Sequence, residues 1–461
     1  MESYTFNRKI PVEEYDLVVA GGGPGGASAA ICAARLGAKV LLVEATGCLG
    51  GMGTSGLVCA FDPMANGEKM IVGGFMRELV ETLYERGFIA PGTDPGVWRK
   101  YDHCWTPFQP EGLKLILDEK AVEAGVEVRF FTKAVDVDAD AQSGMMHGLI
   151  IQNIEGFSYI KAKAYIDATG DAVVCALSGA DYREAGRDTP DIMPASLPSV
   201  FANVDWTKGG FETQNPQTVS LIEKEYRLGN LEQCDRHLVG LSKITQTCGY
   251  LNGGHLFQLS ATNIKSLTDG MMKGRRLAKQ YEHFLKKYFP SCKNMELIAT
   301  GALMGVRESR RIVGEYELCF DDYISRRQFP DQIGVFNKFV DIHAYDESKA
   351  EYDRFLKEKD QDRLGEKEFF GIPYGILVPK GWKNLWVAGR CNSSDVKVHG
   401  SIRVMPAAAM MGQAAGTAAV QAMRQNETAC DLDTQQLVLT LRENGAYLPQ
   451  KTLCREMTRS K

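Results

Sequence analysis

The sequence is short of several things, and each absence excludes something. None of its twelve cysteines forms a C-x-x-C pair; they stand apart, at positions such as Cys32, Cys104, Cys234 and Cys454. Without paired spacing there is no thiol-redox motif, no four-ligand zinc or iron–sulfur pattern and no disulfide framework. Reduced, mostly buried thiols are the expectation. Positive charge is not in excess either: Lys plus Arg is 53 against 58 for Asp plus Glu, a net charge of -5. Nothing draws such a surface to phosphate backbones or anionic lipid, so no nucleic-acid partner is expected. Met1 to Glu14 is polar, and the first apolar run, Leu17 to Ala20, is too short for a signal segment. The cytoplasm is therefore the expected location. Internal repeats and low-complexity segments are missing.

One charge-free stretch, Val404 to Met423, is long enough to span a bilayer. It holds Pro406, Gln413, Gln421, two glycines and many alanines, with few large aliphatic residues. That composition predicts a buried helix packed closely on something flat, so no membrane partner is expected. The 461 residues give a prior of two or three domains, and 44% hydrophobic content is ordinary for a globular chain.

What is present begins at once. Tyr15 to Ala20 reads as a buried parallel strand, and Ala27 to Leu36 as a helix. Between them the pattern G-x-G-x-x-G falls on Gly21, Gly23 and Gly26, inside the run Gly21 to Gly26 that also holds Pro24 and Gly25. Gly21 permits the tight turn, Gly23 leaves room for a pyrophosphate against the backbone, and Gly26 lets the helix lie on the sheet. Pro24 suits the first helical turn, and the helix N-terminus offers N–H groups to phosphate. Ala38 to Val43 is the next strand, with Glu44 at its end as the ribose-binding acid. Strand, loop, helix, strand and acid in register point to an adenine dinucleotide. A second glycine-rich loop follows, Ala45 to Gly56, with Gly50, Gly51, Met52 and Thr54. A longer cofactor would use it, which favours FAD over NAD.

With these residues the chain resembles the FAD-dependent oxidoreductases of the glutathione-reductase-type Rossmann class. It is most similar to the bacterial group known only as FAD-dependent oxidoreductases. Fumarate-reductase flavoproteins and the flavoprotein subunit of heterodisulfide reductase are more distant. Four blocks carry the resemblance: Gly21 to Met52; Ile166 to Asp171; Gly305 to Arg311; and Asn384 to Cys391 with Gly400 to Pro406 and Gly412 to Gly416. Together they reach from near the N-terminus to about Met423. The resemblance implies that Val135 edges the adenine, that Ala168, Gly170 and Asp171 touch the cofactor, and that Gly389 and Arg390 follow another buried strand. It also implies that the helix starting at Met405, Pro406 and Ala407 points its N–H groups at the flavin, where they stabilise negative charge.

The expected fold is α/β: an FAD/NAD(P)-binding Rossmann-like parallel sheet with a β-meander crossover, plus an inserted α+β cap. The meander is assigned to Leu149–Ile154 and Phe157–Lys163, with Ala164 to Ile166 returning to the main sheet. Residues 1–185 and 370–425 are expected to form the FAD-binding domain. Residues 186–369 would form the cap over the substrate, and 426–461 a polar tail with a helix from Asp433 to Asn444. Lys265 to Phe289 reads as a long helix and Ser348 to Lys367 as a charged, exposed one.

A substrate oxidation needs hydride transfer to the flavin and a base for the accompanying proton. Of seven histidines, His343 and His399 rank first as that base, above His255; for each one a core or surface histidine is the plainer reading. Arg307, Arg310 and Arg311 would share one face of a helix, to bind a substrate carboxylate or steady the reduced ring. A structural ion-pair cluster with Glu308 and Glu315 is the other reading. Cys48 has no partner thiol two or three residues away and reads as unreactive. A second G-x-G-x-x-G is absent, so the cap is not a second dinucleotide domain.

The sequence thus points to an FAD-dependent oxidoreductase acting on a small molecule, with an electron acceptor or donor it does not name and a homo-oligomer left open. A flavoprotein electron-transfer subunit docking an iron–sulfur partner is the alternative. A flavoprotein acting on RNA bases and a Rossmann protein binding NAD alone are weaker ones. A pocket lined by His343 and Arg307 favours the enzyme; an exposed flavin edge favours the carrier.

Overall fold

The computed structural model describes residues 7–208 and 215–449. Cys454 lies outside them. β1 (Val12–Ala20), α1 (Pro24–Arg35) and β2 (Val40–Val43) form the first unit. β3 (Glu127–Arg129), β4 (Lys133–Asp140), β5 (Met145–Asn153), β6 (Gly156–Asp167) and β7 (Leu385–Val387) complete a seven-stranded sheet. The order is β3–β2–β1–β6–β5–β4, with β7 also beside β6. β1–β2, β1–β6, β2–β3 and β6–β7 are parallel, while β4–β5 and β5–β6 are antiparallel.

β6 serves both halves without a break. Ile160 faces Leu149 in the meander, while Asp167 faces both Ala20 and Val387 at the far end. The C-terminal ends of β1, β6 and β7 therefore meet in one row, the place where such sheets take their ligands. Asp167 fixes the turn there. Fully buried, it accepts from Thr169 N at 3.0 Å, Thr169 Oγ1 at 2.7 Å and Cys175 N at 2.9 Å.

α2 (Val396–Ile402) and α3 (Met405–Gln425) follow β7. α3 is the charge-free stretch. It is buried from Met405 to Ala422, which is why it is apolar all round. It lies along α1 at backbone contact: a β-carbon on Gly412 or Gly416 would collide with the main chain of Gly25 or Ala29. Ser28 Oγ donates to the Ala409 carbonyl at 2.7 Å across the same seam. Among the described residues no helix is long and apolar enough to cross a membrane.

A second, antiparallel sheet has the order Ser242–Lys243, Gly249–Leu251, Ser199–Ala202, Glu296–Thr300. Its core, with Phe201, Leu251, Leu277 and Phe284, is separate from the one around α1 and α3. The helix Ile264–Tyr288 covers it, started by Asn263 accepting from Ser266 N at 2.9 Å. Leu318, Tyr323, Phe336 and Leu364 pack instead in the core with α1 and α3.

Two local expectations meet the structure differently, and one agrees to within a residue at each end. The helix expected over Ser348–Lys367 spans only Lys349–Glu358, because the chain then turns back to bury Leu364. The helix expected over Asp433–Asn444 is Thr434–Glu443, with Asp433 as its cap. Arg307, Arg310 and Arg311 lie on no helix: Arg310–Ile312 is a strand, antiparallel to Tyr182–Glu184.

Candidate functional site

One cavity of about 870 Å³ runs from the row of strand ends into the space under the second sheet. Its near end is the glycine loop after β1. Gly21 sits at φ 99°, and a β-carbon there would lie 2.5 Å from the Ala168 carbonyl oxygen. Gly26 is held as tightly, since a β-carbon would collide with the Gly21 carbonyl. At Gly23 a β-carbon would meet nothing within 4 Å. Two of the three glycines therefore serve packing, and the third keeps space open. The N-cap residues of α1 and α3 are Gly23 and Val404, and neither offers a capping side chain. Both leave first-turn N–H groups without intrahelical partners at the cavity's edge.

Glu44 is buried at the end of β2 and lines the same cavity. Its Oε2 accepts from Gly22 N at 2.6 Å, and its Oε1 from Thr46 N at 2.7 Å and Thr46 Oγ1 at 2.8 Å. The carboxylate is thus aimed by its own chain and keeps further acceptor capacity. An open glycine, two uncapped helix starts and a fixed acid fit an adenine dinucleotide with its pyrophosphate at α1 and its ribose at Glu44.

Most residues anticipated for the cofactor line this space. Gly21, Gly23, Pro24, Gly25, Glu44 and Ala45 do so at the first loop, with Gly51 and Met52 beside them. Ala168, Gly170, Asp171, Gly389, Arg390 and Met405 line it from the ends of β6, β7 and α3. Arg390 bridges two of these loops, donating to Asp171 Oδ1 at 2.5 Å and Ser309 Oγ at 2.6 Å. Gly26, Gly50, Thr54, Val135 and Ala407 are not on the wall. Thr54 turns inward, where its Oγ1 donates to the Leu49 carbonyl at 2.7 Å. Val135 drops out of the β4–β5 register at a bulge, and Thr132, Lys133 and Ala134 hold the wall in its place.

Deeper in, the wall is charged. Arg307 is buried, and its Nη1 donates to the Pro194 carbonyl at 2.6 Å. Among the described residues no carboxylate lies within ion-pair reach of it. Burial, then the like charge of Arg403, push its guanidinium down to about 10, so it stays charged at neutral pH. Lys338 is likewise buried but is matched, with Nζ 2.6 Å from Asp62 Oδ2. Arg403 donates to Asp341, to the carbonyl at 3.0 Å and to Oδ2 at 3.2 Å.

Beside Arg307 a chain of polar side chains crosses the buried wall. Asp235 Oδ1 stands 2.9 Å from His255 Nδ1, His255 Nε2 stands 2.7 Å from His343 Nδ1, and His343 Nε2 stands 3.2 Å from Asp341 Oδ1. His237 lies against both rings, with centroids 4.7 Å from His343 and 5.4 Å from His255. Its Nδ1 is buried without a hydrogen-bond partner. Burial, then His255, push His237 down to about 3. Burial, then Arg307, hold His343 well below the usual histidine range. Burial works to raise Asp235 and Asp341, but their cationic and histidine neighbours prevail and keep both carboxyls low.

The anticipated catalytic residues divide here. His343 and Arg307 line the cavity, while His399 and Arg310 do not. His399 sits in α2 rather than a loop, fully buried behind Arg307, with Nε2 3.1 Å from that residue's carbonyl. Arg310 points away, its guanidinium carbon 5.1 Å from the centre of the Tyr182 ring. Arg311 pairs with Glu308 at 3.3 Å, so part of the arginine cluster is structural. Sequence reasoning did not single out Asp235, His237, Lys338, Asp341 or Arg403, and it set His255 below His343, whose ring it touches. Their only sequence signal was charge in apolar surroundings, as in Val340 to Ala344.

The sequence pattern of the family described as FAD dependent oxidoreductase matches residues 16–441. The dihydrolipoyl dehydrogenase of Trypanosoma brucei brucei is 57% identical over 47 residues, 10% of this chain and 10% of that relative's length. Among solved structures, a geranylgeranyl bacteriochlorophyll reductase-like protein from Thermoplasma acidophilum is 14% identical with a TM-score of 0.47, over 94% of this chain and 83% of that one. The flavin-dependent brominase Bmp2 is 13% identical with a TM-score of 0.46, over 94% and 83%.

Proposed function

The chain belongs to the FAD dependent oxidoreductase family and uses FAD, and from that premise we propose that it transfers a hydride between the flavin and a small molecule carrying an anionic group. The observation that carries this reading is Arg307, a buried cation on the cavity wall with no carboxylate partner among the described residues. Leaving a buried guanidinium without a contacting carboxylate is costly, and a ligand carboxylate that takes two of its N–H groups offsets that cost. FAD, when bound, supplies the two-electron acceptor or donor. Arg307 holds the anion and so sets which carbon faces the ring. Arg390, tied to Asp171 and Ser309, keeps the cofactor loops in place. His237 and His343, both on the cavity wall and held uncharged, offer ring lone pairs beside Arg307.

The same reading takes residues 1–185 and 370–425 as the FAD-binding unit, with 186–369 over the substrate. The separate core beneath the second sheet supports it, while Leu318, Tyr323, Phe336 and Leu364, packed in the core with α1 and α3, argue for an earlier end to the cap. The test is anaerobic. The yellow holoenzyme is mixed with small hydroxy acids, amino acids, neutral alcohols and amines while the flavin band is followed. Bleaching confined to acids supports the reading. Bleaching by neutral compounds alone removes Arg307 from substrate recognition, and bleaching by none favours the electron-transfer alternative.

A further inference from the structure

The donors and acceptors along Asp235–His255–His343–Asp341 do not balance. Two carboxylates end the chain, and each is met by an outer ring nitrogen, His255 Nδ1 at 2.9 Å and His343 Nε2 at 3.2 Å. A neutral imidazole has one N–H. If both outer nitrogens carry it, the inner pair, His255 Nε2 and His343 Nδ1, face each other at 2.7 Å with lone pairs only. A cation has to stand between them, either an extra proton or a metal ion. The third ring, His237, brings a buried Nδ1 that nothing in the described structure satisfies. One ring nitrogen from each of the three lies within 4.8 Å of the others.

We propose that His237, His255 and His343 form a binding site for a divalent transition-metal ion, with Asp235 and Asp341 orienting two of the three ligands. The donor set fits. Three imidazoles suit zinc or iron better than magnesium or calcium, and ligating histidines characteristically give their other N–H to a carboxylate. An ion with bonds of about 2.0–2.1 Å to nitrogen spaces tetrahedral ligands a little over 3 Å apart. The His255–His343 pair therefore opens by roughly half an ångström on binding. His237 and His343 line the cavity, so the position left open by three ligands faces it.

The ligand class at that open position follows from charge. Asp62, Asp235 and Asp341 match Lys338, Arg307 and Arg403 in number around the cluster, so an added dication is met by an anion from the cavity side. An oxygen anion with a second donor, such as a hydroxy or keto acid, reaches both the ion and Arg307. This last step rests on the hydride reading; the ion site does not.

The test uses holoenzyme stripped with a chelator and then titrated with Zn²⁺ alone, by calorimetry and by metal analysis after gel filtration. One Zn²⁺ is retained per chain, with submicromolar affinity. His255→Ala and His343→Ala, checked for an unchanged flavin spectrum, lose at least a hundredfold in affinity, and Asp235→Asn loses about tenfold. Failure of the wild-type protein to retain Zn²⁺, Fe²⁺ or Co²⁺ overturns the site, as does retention unchanged in both alanine variants. Zn²⁺ binding without acid-dependent bleaching sinks the hydride reading and leaves the site. Bleaching without retained metal does the reverse.

Discussion

Gly412 of α3 lies against the carbonyl of Gly25 so closely that the first carbon of any side chain would collide with it. The contact joins the cavity-facing start of α1 to the helix whose own start borders the same cavity. Neither backbone can yield without moving a cofactor loop. Gly412→Ala is expected to destabilise the protein by about 1–3 kcal/mol, the usual range for forced overpacking. It should also purify with a reduced flavin-to-protein absorbance ratio. An unchanged ratio and unchanged melting temperature would show the seam to be looser than described.

Glu44, which on the proposed reading takes the ribose, is held by three hydrogen bonds from Gly22 and Thr46. Glu44→Gln keeps the shape but loses the charge and one acceptor. Hydrogen bonds to a charged group contribute roughly 1.5–3 kcal/mol, so FAD affinity of the apoprotein should fall about tenfold to a hundredfold. Equilibrium titration with FAD, followed by flavin fluorescence, measures it.

Arg307 gives a test that separates binding from folding. With the acid that bleaches the flavin in hand, Arg307→Met should lower the second-order bleaching rate by about tenfold to a hundredfold, mainly through a raised half-saturating concentration. Arg307→Lys should restore part of it, since a point charge replaces a fork. A loss confined to the limiting rate would place Arg307 at the flavin instead of the anion.

Glu78, on the helix Gly74–Glu85, ties α1 to the helix Pro110–Ala124: Arg35 grips it at 2.7 and 2.8 Å, and Lys120 at 2.5 Å. The Arg35 hydrogen bond first, against burial and with help from Lys120, lowers the carboxyl to about 2. A carboxyl lowered on folding contributes stability above its ordinary value near 4.5, and that contribution is lost as pH falls toward 2. The side chain is 37% exposed, so solvent screening keeps the contribution to about 1 kcal/mol. Glu78→Gln should melt lower than the wild type at pH 7, and the gap should close between pH 4.5 and 2. A gap that persists at low pH would mean that the loss is one of packing.

How much of this was legible depended on how local each feature is. The cofactor end reads from the chain because β1, Gly21 to Gly26, α1, β2 and Glu44 follow one another and each spacing has its own steric reason. The histidine cluster does not, because Asp235, His237, His255 and His343 meet only once the second sheet has folded over the first. No periodicity marks them. The arginines misled for a physical reason. Spacings of three and four suit a helix face, but in an extended chain residues four apart also share a side. Arg307 and Arg311 are both buried and both held by carbonyls, of Pro194 and Ser394, which no charge pattern reveals. Val135 was misplaced because a bulge shifts the strand by one residue.

The seam between α1 and α3 has a consequence for synthesis. Ser28 and Ala409, bonded across it, are 381 positions apart. At roughly 5–20 residues per second, the ribosome finishes α1 tens of seconds before it makes α3. During that interval the apolar face that Gly412 and Gly416 will cover stays open, and the glycine loop has no second wall. Flavin capture is therefore a late event in the life of the nascent chain, and the unfinished first unit is the stage at which a chaperone has most to protect.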